Sequence, residues 1–210
     1  MRILLFGATG PLGRSISETA LRDGHEITEF VCMPGRLDQR HERLTVITGD
    51  VLDTASVTAV IPGHDAVVGA VGQSKQAPAG MFRHPALEPV IEAMKTHQVP
   101  RLVWVSAHGV GDSRGCSGLV FEHVLRPLLW RAEYADKEHQ ETAVRNSGLD
   151  WTIVRPARLT GGLATGRYRA AERIKLLWRS HISRADVADF VVGELHKQDH
   201  LRRCPTLTGP

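Results

Sequence analysis

Gly7-Ala8-Thr9-Gly10-Pro11-Leu12-Gly13 directly follows Arg2-Ile3-Leu4-Leu5-Phe6, and that junction decides the fold. The short apolar run predicts a buried strand, and a helical pattern opens near Leu12 and closes before Gly24. Between them the glycines stand in a G-x-x-G-x-x-G spacing. At a strand-turn-helix junction the first glycine permits the tight turn, the second lets a pyrophosphate reach the backbone, and the third lets the helix pack close on the sheet. Free N–H groups at the helix start then face the phosphates. A tight turn without a ligand is the plainer reading. The position at the head of a β-α-β series selects dinucleotide binding, with Gly7, Thr9, Gly10, Pro11, Leu12 and Gly13 as the phosphate loop.

Working outward, strand-length apolar runs alternate with segments of helical period, the pattern of a parallel sheet covered by helices on both faces. Further strands are expected at residues 25–31, 44–48, 66–71, 102–105 and 151–154. Helices are expected at residues 55–60, 85–97, about 119–147 with a break or bend near Pro127, and 183–197. Ser183 reads as the N-cap of the last helix, with Asp186 three residues on in the place of the capping-box acid. Residues 109–118 read as a loop on the active-site side, and residues 161–166 as another glycine-rich loop. No repeat or linker interrupts the chain, so the expected architecture is α/β: a single Rossmann-like domain over residues 1–210, a doubly wound parallel sheet with a short C-terminal substrate-side extension. Beyond the sixth strand the chain offers only Arg155 to Pro210 to cover the sheet and build the substrate wall, which predicts a shallow, open pocket.

Composition agrees with one ordinary globular domain: 210 residues, 42% hydrophobic and 23% charged. The 26 basic and 23 acidic residues are spread along the chain without a dense basic run, so a net +3 hints at an anionic ligand and does not call for nucleic acid. Cys32, Cys116 and Cys204 are far apart and lack metal-ligand spacing, which fits a reduced, cytoplasmic setting. The opening MRILLFGATG is too short for a signal sequence or a membrane span. The expected partner is a small-molecule substrate, with no membrane, and the expected state is a monomer or weak homodimer.

NAD-selective sites place an acid near the end of the second strand, roughly 20 residues past the glycines, where it accepts from the ribose hydroxyls. Val31-Cys32-Met33-Pro34-Gly35-Arg36 holds no carboxylate there. Arg36 either faces a 2′-phosphate, with Arg40 or Arg43 in reserve, or is a solvated loop charge. NADP(H) is therefore favoured over NAD(H). In Gly49-Asp50-Val51, Asp50 can accept from the adenine amino group while Val51 packs on the ring; alternatively Asp50 caps the next helix. Gly69-Ala70-Val71-Gly72 puts small residues where the middle of the cofactor lies against backbone, which adds Ala70, Val71 and Gly72 to the cofactor set.

Together with these motifs stand Val105-Ser106-Ala107, Ser147-Gly148-Leu149-Asp150-Trp151-Thr152-Ile153-Val154-Arg155-Pro156 and Ile182-Ser183-Arg184-Ala185-Asp186-Val187-Ala188. In this order they resemble the atypical short-chain dehydrogenase/reductases with NAD(P)H-binding, NmrA-like domains, and among them the small reductases of the biliverdin-IXβ reductase/flavin reductase type. The resemblance covers nearly the whole chain. It implies a cofactor across the strand ends, with Ser106 beside the nicotinamide, Lys137 near its ribose, and Pro156, Ala157 and Arg158 along its edge. Ser106, Lys137 and Arg158 are thus the catalytic candidates. The chain departs from the pattern at Cys32, where many members carry a 2′-phosphate-binding arginine, and at Arg158, where the flavin reductases often carry a histidine.

Dehydrogenases of the wider superfamily use Tyr-x-x-x-Lys, with the phenol as proton donor. Here Tyr134-Ala135-Asp136-Lys137 is one residue short, and Glu133 holds the tyrosine slot. At about 100° per residue the shift turns Tyr134 away from its usual relation to Lys137. Acceptors that need little enzymic protonation fit best: flavins, quinones or conjugated tetrapyrroles. The expected function is NAD(P)H-dependent hydride transfer to such an acceptor. The alternatives are a non-catalytic NADP(H)-binding sensor or assembly factor, and a redox-neutral isomerase or cyclase. His108, just past the fifth strand, lines the substrate pocket or is a solvated loop histidine. Trp130 and Trp178 pack under helices or line that pocket, with Trp130 the substrate candidate. None of the eleven histidines shows H-x-x-x-H or H-E-x-x-H spacing on one helix with a third ligand, and Ser106, His108 and Asp112 lack the G-x-S-x-G elbow of a nucleophilic triad.

Overall fold

β1 (Arg2–Phe6) alternates its side chains between two cores. Ile3 and Leu5 join one buried cluster with α1 (Pro11–Arg22) and α5 (Arg184–Lys197), while Leu4 and Phe6 join a second with α2 (Thr54–Val60), α3 (His84–Thr96) and α4 (Arg131–Arg145). Burial on both faces is why the strand reads as a continuous apolar run rather than an alternating one. The computed structural model describes residues 1–32, 40–72, 84–116, 131–177 and 179–210.

With β2 (Glu26–Val31), β3 (Leu44–Thr48), β4 (Ala66–Gly69), β5 (Arg101–Val105), β6 (Asp150–Pro156), β8 (Arg169–Ala171) and β10 (Thr206–Thr208), β1 forms an eight-stranded sheet in the order β3-β2-β1-β4-β5-β6-β10-β8. Every pairing is parallel except that of β8 with β10. The chain leaves β1 in one direction to build β2 and β3 and returns to its other side with β4, so a crevice opens at the C-terminal ends of β1 and β4. No described helix is long and apolar enough to cross a membrane.

The doubly wound parallel sheet matches the sequence expectation, with differences in detail. β4 stops at Gly69, two residues short of Val71, and β6 continues to Pro156. α4 is described from Arg131, so the expected bend near Pro127 lies outside the described residues. Asp53, not Asp50, caps α2: its carboxylate accepts from the backbone N–H groups of Ala55 and Ser56.

The larger correction concerns the C-terminal segment. It does not merely cover the sheet; β10 and β8 extend it, and β7 (Arg158–Thr160) pairs in parallel with β9 (His181–Ser183) as a separate ribbon. Ala157 donates its N–H to the Leu207 carbonyl at 2.8 Å, seating the end of β6 against β10. These four strands have three residues each, too few to produce a period in the sequence.

Ser183 does cap α5, its hydroxyl oxygen accepting from the N–H of Asp186 at 2.9 Å. The Asp186 carboxylate reaches outward in the same motif. It accepts from the Ser183 hydroxyl at 2.8 Å and from the N–H groups of Thr165 and Gly166 at 2.7 and 2.9 Å. The glycine-rich loop at residues 161–166 is therefore pinned to the start of α5.

Candidate active site

The three glycines of the first loop have three separable reasons. Gly7 sits at φ +88°, and a Cβ there would lie 2.5 Å from the Ala70 carbonyl oxygen. A Cβ on Gly13 would lie 2.2 Å from the Gly7 carbonyl oxygen, so its absence sets the helix on the strand. Gly10 has an ordinary φ of −79° and its nearest neighbour for a Cβ is at 3.4 Å. The protein itself imposes little on that position, which is the signature of a backbone left open for something else. Gly10 is the N-cap of α1 and no side chain caps the helix. The positive end of the helix dipole is thus available to an anion. Pro11 occupies the first turn and lacks an N–H, and the Leu12 side chain is buried in the core, so Leu12 can offer only its backbone.

Across the crevice, Ala70 donates to the Phe6 carbonyl at 2.9 Å, and Gly72 faces open space. Val51 and Val71 border an apolar crevice floored by Phe6 and Trp104. Asp50 is exposed and accepts from the Leu52 N–H at 3.0 Å, forming a local turn. Gly69 is small for an internal reason: a Cβ there would stand 2.1 Å from the Trp104 ring.

Ser106 follows β5 and is held by its N–H to the Val154 carbonyl at 2.8 Å. It is 5% exposed, and its hydroxyl has no partner among the described residues. A buried hydroxyl without a partner costs about 1–3 kcal/mol, which a ligand in the crevice would relieve. His108 donates its N–H to the Pro156 carbonyl at 3.2 Å, so the ends of β5 and β6 bring Ser106, His108, Pro156 and Ala157 together. His108 is buried, which overturns the solvated-loop reading.

α4 presents one face to this strand end. The Tyr134 hydroxyl donates to the His108 carbonyl at 3.1 Å, and Gln140 accepts from the Trp104 indole N–H at 2.9 Å. Lys137 lies midway between them, three residues from each, on the same helical face. Burial pushes the Lys137 ammonium below its usual range, and the carboxylates of Glu133, Asp136 and Glu141 only partly oppose this. Arg158 is exposed and begins β7 opposite His181, so the structure sets it beside the cleft without joining it to Ser106. Arg36, Trp130 and Trp178 lie outside the described residues.

Two charged features escaped the sequence reading. Arg155 is fully buried and meets Glu141 of α4 at 2.9 and 2.5 Å and Asp112 at 2.7 Å, while Arg145 reaches Asp112 at 2.9 Å. Burial alone would push the Asp112 carboxyl up; the hydrogen bond and charge of Arg155, with Arg145, outweigh it and hold it below the usual range. The cluster fixes the short 3₁₀ turn Gly111–Ser113 that follows His108. A lone arginine inside the apolar run Trp151-Thr152-Ile153-Val154-Arg155 was the available signal. The other feature is Glu29, the acid nearest the end of β2. It is 1% exposed, and burial pushes its carboxyl up against the opposing effects of Ser17 and Arg14 on α1. Covered in this way, it does not stand at the strand end where a ribose would be read.

The model of a family described as NAD(P)H-binding matches residues 7–198. The chain belongs to that family. An uncharacterized sugar epimerase of Bacillus subtilis, YhfK, is 26% identical over 99% of this chain and 94% of its own length. Among solved structures, a short-chain dehydrogenase/reductase from Veillonella parvula in complex with NADP superposes with a TM-score of 0.84 at 19% identity, over 100% of this chain and 94% of that one. ChuY of Escherichia coli, an anaerobillin reductase, does so with a TM-score of 0.79 at 23% identity, over 100% and 98%. The structural neighbours of this NAD(P)H-binding protein are thus atypical, NmrA-like short-chain dehydrogenase/reductases. The cradle fits the cofactor on its own geometry: an uncapped helix start, an unconstrained Gly10, and an orphaned Ser106 hydroxyl.

Proposed function

We propose that the protein is an NADP(H)-dependent reductase that passes hydride to a small, flat, conjugated acceptor of the flavin, quinone or linear tetrapyrrole kind. The observation that carries this is the Tyr134 hydroxyl on the His108 carbonyl, which leaves the phenol anchored to the loop instead of pointing as an acid at a carbonyl substrate. An acceptor that takes its proton from solvent needs no such acid. The bound cofactor supplies the hydride. Gly7, Thr9, Gly10, Pro11, Leu12 and Gly13 hold its pyrophosphate, Asp50 and Val51 its adenine, and Ala70, Val71 and Gly72 its middle. Ser106 orients the nicotinamide through the hydroxyl that has no partner among the described residues, Lys137 holds its ribose, and Pro156, Ala157 and Arg158 frame its edge. His108 and Trp130 face the acceptor.

The preference for NADP(H) rests on Arg36 and on the absence of an available acid at the end of β2, where Glu29 is buried. Arg36→Ala should weaken NADPH binding by about 1–3 kcal/mol and NADH binding far less. Titration of both cofactors checks this, and an equal loss removes Arg36 from the site.

The epimerase in the name of the Bacillus relative supports a second reading, a redox-neutral enzyme on the same fold. NADPH oxidation assayed with FMN, a quinone and biliverdin separates the two. Turnover with one of them supports the reductase; tight cofactor binding with no oxidation under any of them overturns it.

A further inference from the structure

The net charge of the chain conceals a strong local separation. Seven of the 26 basic residues and one of the 23 acidic ones fall within residues 158–184, leaving 19 basic against 22 acidic elsewhere. Arg158, Arg167, Arg169, Arg173 and Lys175 are exposed, and none of the five forms an ion pair among the described residues. Elsewhere on the surface Arg2, Arg22, Lys95 and Arg202 each meet a carboxylate. Exposed cations without an ion pair among the described residues also occur singly at Arg40, Arg131, Lys197 and Arg203; what sets this segment apart is that five stand within eighteen residues.

The segment borders the cleft on fixed supports. Arg158 directly follows Ala157 at the end of β6, beside Ser106. Leu176 donates its N–H to the Cys116 carbonyl at 2.9 Å, tying residues 172–177 to the loop that continues from His108. Asp186 pins Thr165 and Gly166. Two leucines of the same segment are unusually bare, Leu163 at 88% and Leu177 at 75% exposure. Cations and apolar surface together match a flat apolar body with anionic groups on its edge.

The cofactor's own phosphates do not explain the charge. β8 lies six strand spacings from β2, on the order of 30 Å, so its cations cannot serve a 2′-phosphate at the end of β2. A guanidinium cluster left without carboxylates attracts anions from a distance and grips carboxylate or phosphate at contact.

We infer that the acceptor is an anion whose carboxylate or phosphate groups are bound by the wall of residues 158–175. This rests on the reductase reading above and narrows its substrate class. Matched acceptors differing only in charge test it: FMN against riboflavin, and biliverdin against its dimethyl ester. The charged member of each pair should have a KM lower by about tenfold, an advantage that shrinks as salt is raised. The double variant Arg169→Gln/Arg173→Gln should raise the KM for FMN toward that for riboflavin, whereas Lys95→Gln, whose ammonium meets Glu92 of its own helix α3, should leave the ratio unchanged. Because the ratio is read within each variant, a general loss of activity does not mimic the effect. Equal KM values within both pairs, insensitive to salt and to the double variant, overturn the inference while the reductase reading stands. If no acceptor is reduced, the reductase reading fails, and flavin fluorescence quenching on the NADP⁺-loaded protein still decides this one. Tighter binding of FMN than riboflavin supports it, and equal binding overturns it.

Discussion

Residues 1–72 build β1, β2 and β4 from runs whose side chains are buried on both faces of the sheet, and they join strand to helix through glycines that sterics require. Residues 155–210 instead contribute four three-residue strands, and single polar groups act as anchors: Asp186 holds the loop at residues 161–166, and Arg155 holds the turn Gly111–Ser113. The first region is specified by pattern and the second by particular contacts. A pattern-built core spreads its stability over many side chains, while a contact-built wall concentrates it in a few groups and can vary in sequence between those groups. That division suits the proposed function, in which the first region would seat the cofactor and the second would meet the acceptor.

The comparison can be broken at its charged anchors first. Arg155→Ala takes from the buried Glu141 both hydrogen bonds of its guanidinium partner, leaving Arg145 at 3.7 Å, and should cost about 3–5 kcal/mol in urea unfolding, the largest of the expected effects. A loss below about 1 kcal/mol would mean that the cluster does not anchor the turn Gly111–Ser113 to α4 and β6.

In the first region, Gly7→Ala combines a positive φ with a Cβ 2.5 Å from the Ala70 carbonyl oxygen. It should cost about 1–3 kcal/mol and weaken NADPH binding, checked by unfolding and by cofactor titration. Unaltered NADPH affinity would separate the turn from the cofactor seat.

Asp186→Asn should cost about 1–2 kcal/mol and expose the loop at residues 161–166 to faster protease cleavage. Burial would raise the Asp186 carboxyl, but hydrogen bonds from Ser183, Thr165 and Gly166 outweigh it and hold it below the ordinary carboxylate range. A depressed carboxyl stabilises the fold above the unfolded pKa, about 4, and that contribution is lost as pH falls through the folded value. The stability gap between wild type and variant should therefore be constant near neutrality and close below about pH 4. A gap independent of pH down to the acid limit would show that the charge is not the anchor.

The one change expected to cost no stability is Ser106→Ala, which should leave the unliganded protein as stable as wild type or more so, by up to about 1–3 kcal/mol, because it removes a buried hydroxyl that has no partner among the described residues. Turnover should nevertheless fall. Unchanged kinetics would make Ser106 a packing residue only.

These contrasts also explain what could be read from the chain beforehand. The strands at residues 2–6 and 44–48 stand at their expected bounds, because length, β-branched or aliphatic content and flanking turns all agree there. The roles of Gly7 and Gly13 follow from backbone geometry that the motif spacing encodes. β7 to β10 escaped because three residues cannot display a period, and their pairing depends on partners far along the chain, such as Thr206 with Arg155. The Arg155 cluster escaped because Glu141 and Asp112 look like ordinary helix-face and loop charges until the fold brings them to one buried guanidinium. Asp186 was legible as part of a cap, but its bond to the loop twenty residues earlier was not. The charge asymmetry of residues 158–184 was present in the sequence all along, hidden by a nearly balanced total.

The most direct test is consumption of NADPH by the purified protein in the presence of FMN, followed by the loss of NADPH absorbance and compared with NADH at equal concentration. Steady oxidation of NADPH is expected, slower with NADH and lowered by Ser106→Ala. Tight binding of NADPH without oxidation in the presence of FMN, a quinone or biliverdin would contradict it.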